Sequence, residues 1–378
     1  MWLRLEPNDT LFFRGPEPFN AGESGYVASE FPPTPRTLQG ALRAAVLEAN
    51  GVDMREYVAG EAHGPLIEAL GRADEEIKLD LRGPYLTRDG KLCVPAPLNL
   101  VDRDDEVLAL TPADAPTATD LGSVRLPSLR GYTSRLEGKW LPLEDLERLL
   151  TGEKVAASRL FSPLDAPRED AANVEGFFSE AKVGLARNPA SRAAEEGMLY
   201  TILTLRAGEN TGFAASIEGL PPRARRPEVV KLGGEGRFAW SGEMEAPTTG
   251  AHREAIASQI DETRKFQLVF LQPALFGGGW LPERFQREED ESGLHWRGEL
   301  EGIGCSLVSA ILDKPRHIGG WDMKERRPHP LEPHVPAGSV YFFETDAPGE
   351  QVVEALDDMK LGGHANMGFG HVLVGGWE

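Results

Sequence analysis

The order of its periodic segments constrains this chain more than any single motif. A strand, a long helix and a hairpin follow one another twice, loosely: once from Trp2 to Pro95, and again after Met198, where the chain closes with strand, helix, glycine-rich loop and strand. Apolar or alternating runs predict strands over Trp2 to Leu5, Thr10 to Phe13, Ile77 to Leu81, Leu92 to Pro95, Met198 to Arg206, Phe213 to Glu218, Phe266 to Gln272, Gly304 to Leu312, Val340 to Glu344 and His371 to Val374. Helical spacing predicts Pro35 to Asn50, His63 to Leu70, Leu143 to Leu150, His252 to Thr263 and Gly349 to Met359. This is neither a steady alternation of strand and helix nor a run of strands alone. It outlines an α+β chain of tandem ferredoxin-like (RRM-like) domains, a helix pair on an antiparallel sheet used twice, with long loop insertions and a C-terminal glycine-rich loop. The 42 glycines and 29 prolines are scattered between the periodic segments, so they read as turns rather than as one linker. At about 150 residues per domain the length suits two or three domains. Mixed signals between 150 and 195 place the boundary there, giving domains 1–175 and 176–378.

The first long helix has an unusual start. Thr34 is a capping residue, Pro35 suits the first helical position and Gly51 follows the last apolar residue. Leu38, Ala41, Leu42, Ala45, Val46 and Ala49 form one apolar stripe, leaving Arg36, Gln39, Gly40 and Arg43 on the opposite face. Arg36 falls in the first turn, where unsatisfied amides and the macrodipole are already positive. Cations normally gather at the other end, so the sequence points to something negative seated there.

A net charge of −20 excludes a generally basic nucleic-acid binder, yet it does not say where charge sits. Acid is concentrated in DRDDE (102–106) and QREEDE (286–291), which read as solvated loops, and basic residues gather in PPRARRPEVVK and DKPRHIGGWDMKERR. No apolar run approaches the roughly 20 residues of a membrane span. The N-terminus reads as strand rather than signal peptide, so a cytoplasmic protein with no membrane contact is expected. Cys93 and Cys305 stand alone, without zinc-type spacing, and read as reduced, packed thiols.

The eight histidines are scattered and match no metalloprotease, nucleophile-elbow or P-loop pattern, so no catalytic set, no metal and no cofactor is indicated. LGGHANMGFGHVLV runs from a helix end through four glycines into the last strand, leaving backbone amides open to a phosphate. In a ferredoxin-like domain such a loop lies within reach of the first helix start, so both are expected to share one anion. Lys182, Arg187 and Arg192 stand in an excursion turning at Asn188-Pro189 and read as a projecting hairpin.

Seven segments, LEPNDTLFFRGPEPFNAG, FPPTPRTLQGALRAAVL, ARNPASRAAEEGMLYTILTLR, KLGGEGRFA, QPALFGGGWLP, ILDKPRHIGGWDMKERRPHPLEPHVPAGSVYFFE and NMGFGHVLVGGW, cover almost the full chain. In that order they resemble the family of third subunits of the Cmr complex, the type III-B CRISPR effector. The resemblance implies a member of the repeat-associated mysterious protein superfamily that holds the repeat-derived 5′ handle of the crRNA. It also implies contact with the large polymerase/cyclase-like subunit and with a backbone subunit, and no nuclease activity. Carried over, Arg14 and Phe19 of FFRGPEPF, with Arg36, Thr37 and Arg43 of the helix, would line the handle's path. Asn366, Gly368 and Gly370 would follow its phosphates, and Lys182, Arg187 and Arg192 would belong to a thumb-like hairpin that wedges bases apart.

Two other readings stand beside this one. His364 and His371 flank the glycine loop, the placement of a general acid and base in a metal-independent crRNA-processing endoribonuclease. Alternatively, the chain is a scaffold whose Trp280 and Trp321 anchor protein interfaces.

Overall fold

A computed structural model describes residues 1–16, 26–128, 131, 133–166, 174–188, 190–247, 250, 252–291 and 293–378. The chain is α+β, with many strands and few helices. It divides into two compact units, each drawn from three segments: 1–91, 162–246 and 318–331 in one, 92–161, 247–317 and 332–378 in the other. The single cut expected near residue 175 does not describe this division, because the segment 92–161 joins the later half of the chain. Burial holds those segments together, and sequence order does not report it.

In the first unit, β1 (Trp2–Pro7) leads to α1 (Pro35–Ala49), then α2 (Met54–Ala59), α3 (Pro65–Leu70) and β2 (Asp80–Arg88). A long hairpin follows, β3 (Phe177–Arg187) and β4 (Ala194–Ala207), and then β5 (Thr211–Glu218), β6 (Val229–Lys231) and β7 (Phe238–Met244). Five of these strands pair antiparallel in the order β2–β5–β1–β7–β6. The core lies under α1, where Leu38, Leu42 and Val46 meet the layer formed by Leu3, Leu5, Leu81, Val230 and Ala239. The buried stripe is turned slightly from the expected one: Gln39 and Leu47 are buried, while Ala41 and Ala49 are half-buried. Phe177 stacks on Phe213 at 4.8 Å and fixes the root of the hairpin. The expected strand at Thr10 to Phe13 reduces to one bridge between Leu11 and Leu205, and α2 was not foreseen.

The second unit places α4 (Leu143–Leu150) and α5 (Arg253–Thr263) before β8 (Lys265–Phe270), β9 (Gln286–Asp290), β10 (Gly293–Leu300) and β11 (Ile303–Ile311). It closes with β12 (Val340–Thr345), α6 (Gly349–Leu356) and β13 (Val372–Gly376). The six strands pair antiparallel in the order β9–β10–β11–β12–β8–β13. Phe266 of β8 stacks on Phe343 of β12 at 4.9 Å in a core where both are fully buried. Edge strand β9 is exposed at every residue. The acidic run read as a loop is thus a strand, and its charges deter further strand pairing. Cys93 and Cys305 are buried outside any disulfide, as expected, and burial pushes the Cys305 thiol up to about 12. Among the described residues no helix is long and apolar enough to cross a membrane.

Candidate nucleic-acid interface

The start of α1 is built as its sequence predicts. Thr34 caps it, its Oγ1 accepting from the Thr37 amide at 3.2 Å, and Pro35 occupies the first turn. The Thr37 hydroxyl lies 3.0 Å from the Thr34 hydroxyl, so Thr37 completes the cap. No carboxylate stands in the first turn, so Arg36 and the macrodipole add without local neutralisation by the helix itself. Arg36 is half-buried because its stem rests on the Gly320 backbone, where a Cβ would lie 2.6 Å from Arg36 Cδ. Sequence gave no sign that GGWD would supply this support.

Arg43, one face further along, is a fastener within the unit. Its guanidinium donates to the Arg72 carbonyl at 3.2 Å and the Glu75 carbonyl at 3.0 Å, and burial draws its pKa below the ordinary arginine value. Arg14 is exposed beside its bridge to Ser29, and Phe19 lies outside the described residues.

The excursion around residues 182–192 is the β3–β4 hairpin. At its turn Asn188 accepts from the amides of Ala190 and Ser191 at 2.9 and 3.1 Å, and Arg192, at φ 57°, is exposed. Arg187 ends β3 opposite Ala194; its side chain lies outside what the structure describes. Lys182 sits midway along β3 in a charge cluster missed in the sequence, which reaches Arg206 near the hairpin's base. Asp9 is 3.6 Å from Lys182, 3.0 Å from Arg206 and 3.5 Å from Arg237, while Glu180 pairs with Arg206 and lies 3.5 Å from Lys182. Desolvation raises Asp9, but the Thr10 amide, Lys182 and Arg206 outweigh it and lower its pKa, while Arg206 and then Lys182 hold Glu180 below the ordinary range against its own partial burial. On the other face of β3, Val183 and Leu185 are exposed.

The glycine-rich loop belongs to the second unit, whereas Arg36 belongs to the first. Several of its amides are not open as the sequence suggested. Met367, Gly368 and Gly370 donate to His364 O, Ala365 O and Pro273 O at 2.9, 2.9 and 2.8 Å. Glycine is required by packing: at Gly370, with φ 71°, a Cβ would fall 1.8 Å from Leu361 O, and Gly368 has φ 102°. Asn366 is the exposed residue of this turn. Beside the loop, a cavity of about 430 Å³ is bounded by Phe276, Glu283, Glu299, Glu301, Leu361 and Gly362. Three carboxylates against the single guanidinium of Arg284 on its wall disfavour a phosphate there. Lys360, just before the loop, is half-buried, and burial pushes its ammonium down to about 8.

Both flanking histidines are held by carboxylates: His364 lies 3.3 Å from Glu332 and His371, buried, 2.7 Å from Asp358. Among the described residues no group of three or more His, Cys, Asp or Glu side chains is arranged to hold a metal ion. Trp280 packs edge-on against Trp296 at 5.0 Å, and its carbonyl accepts from the Tyr341 hydroxyl, so much of its surface serves the unit's own core. Trp321 remains 57% exposed.

The family model described as CRISPR-associated protein (Cas_Cmr3) matches residues 3–377. The chain belongs to this family, and is a member of a type III-B Cmr effector complex in CRISPR defence. No curated protein matches it in sequence. Solved structures similar to it include a chain of the type III-B Cmr-beta complex bound to cognate target RNA and AMPPnP, at 12% identity and a TM-score of 0.47, covering 94% of this chain and 88% of that one. A chain of the Csm3-Csm4 subcomplex of the type III-A CRISPR-Cas interference complex is similar at 11% identity and a TM-score of 0.34, covering 92% of this chain and 94% of that one.

Proposed function

We propose that this chain is a non-catalytic RNA-binding subunit that holds the repeat-derived 5′ handle of the crRNA and joins the large polymerase/cyclase-like subunit to the backbone subunits. The observation that carries the reading is the first turn of α1, which holds Arg36, has no acidic residue of its own and is braced by Gly320. We further read each unit as a ferredoxin-like domain. In support, β7–β1–β5–β2 and β13–β8–β12–β11 both follow the spatial order fourth, first, third, second strand, with α1 serving as the first crossover in one unit and α6 as the second in the other.

Handle binding is tested by titrating labelled handle RNA into parent and Arg36→Ala protein. Loss of a charge-assisted phosphate contact is expected to weaken binding by roughly 1–2 kcal/mol, and equal affinity would remove the helix start from the RNA path. Arg43→Ala needs a melting control, because its guanidinium ties down two carbonyls. The absence of nuclease chemistry is tested by incubating repeat RNA with the chain in EDTA: an intact substrate is expected, and specific cleavage would favour the endoribonuclease reading.

A further inference from the structure

A short hairpin projects its apolar side chains from the first unit. Trp321 pairs with Pro328 and Asp322 with Arg327. Asp322 Oδ1 accepts from the amides of Lys324 and Glu325, both at 2.9 Å, and this closes the turn. The hairpin is also tethered. Lys324 Nζ lies 2.5 Å from Asp74, the His329 amide donates to Gly320 O at 2.9 Å, and Gly320 rests on the Arg36 stem. Its backbone is therefore fixed, yet Trp321, Met323 and Leu331 are 57%, 62% and 51% exposed. Leu331 lies against Gly319 at the hairpin root, and Trp321 and Met323 stand further toward the tip. Arg326 and Arg327 are exposed beside it.

We propose that this hairpin docks into another protein subunit of the effector complex, at an apolar cleft rimmed by carboxylates. The proposal rests on membership of that complex, and on the bridging role proposed above only for naming a subunit as partner. An RNA would use the indole ring for stacking but gain little from Met323 and Leu331, whereas a protein cleft buries all three. At the tip exposed Arg326 and Arg327 outnumber Glu325, and within a chain of net charge −20 that cationic end matches an acidic rim. The same net charge opposes a second copy of this chain as occupant.

The test is binding of the chain to the purified complex of the remaining subunits and crRNA, followed by interferometry, with a parallel titration of handle RNA into the chain alone. The Trp321→Ala/Met323→Ala variant is expected to associate with the complex at least ~10-fold more weakly while binding handle RNA like the parent. Arg326→Glu/Arg327→Glu is expected to weaken association too, by an amount that shrinks as salt rises. Parent-like association by both variants overturns the proposal. So does a matching loss of RNA binding, which would assign the hairpin to RNA, or a loss confined to self-association, which would assign it to a second copy. If Arg36→Ala keeps its handle affinity while the hairpin variants lose association, handle binding falls and docking stands.

Discussion

Two carboxylates, Asp357 and Asp9, each gather cations from distant parts of the chain, and burial separates their roles. The Asp357 side chain is fully buried: it lies 2.8 Å from Arg253 Nε and 3.5 Å from His252 Nε2, and it accepts from the Val374 amide at 3.0 Å. His252, itself buried, lies 3.4 Å from Glu147 on its other side. One carboxylate thus ties the start of α5, the end of α6 and strand β13 together. Asp9 meets three cations where Asp357 meets two, but its side chain is 52% exposed, and water competes for each of them. The buried cluster is a fastener of the second unit; the exposed one leaves the hairpin's base able to exchange one counterion for another.

The largest effect that would break this comparison is at Asp357. Asp357→Ala takes from buried His252 one of its two carboxylates and from Arg253 its partner, and is expected to destabilise the second unit by about 3–5 kcal/mol, read by chemical denaturation. A loss below about 1 kcal/mol would put the buried cluster on the same footing as the exposed one. The pH profile sharpens the contrast. Burial disfavours charge on His252, but Asp357 and Glu147 outweigh it and raise its pKa from 6.5 to about 9. The stabilisation is therefore complete below about 6.5 and is lost as pH rises through about 9. Asp357 is lowered, chiefly through His252 and the Val374 amide working against burial. Its contribution is present above its ordinary value of 3.8 and is lost as pH falls below it. The melting temperature is expected to decline between pH 7 and 10 in the parent and to stay flatter in His252→Gln; parallel curves would count against a charged His252.

Local chemistry was legible in the sequence, and long-range company was not. Cap, proline and apolar spacing located α1 almost to the residue, because those signals act within one or two turns. Strands β1, β5, β8, β11, β12 and β13 were found for the same reason, β2 was found only at its first residues, and β6, β7, β9 and β10 were missed. The glycine loop was found, but its glycines were misread as open amides, since the carbonyls that fill it, Pro273 O and Leu361 O, come from outside the turn or lie against it. Neither Asp9 nor Asp357 stood out: Lys182, Arg206 and Arg237 lie more than 170 residues from Asp9, and Arg253 is 104 residues from Asp357. The discontinuous units were hidden on the same ground, because only folding brings 92–161 to 247–317.

The smallest expected effect lies at Asp9, and its sign tests the role of the hairpin. Asp9→Ala removes a half-exposed carboxylate, so stability should change by less than about 1 kcal/mol, and the difference should fade in high salt. RNA affinity should move the other way. With Asp9 gone, Lys182, Arg206 and Arg237 are less neutralised, and a phosphate backbone passing that cluster would gain. Handle RNA is therefore expected to bind about two- to threefold more tightly at low salt. Unchanged affinity at low salt would move the RNA path away from this cluster, and weaker binding would make Asp9 a brace that keeps the hairpin in place, closer to Asp357 than its exposure suggests.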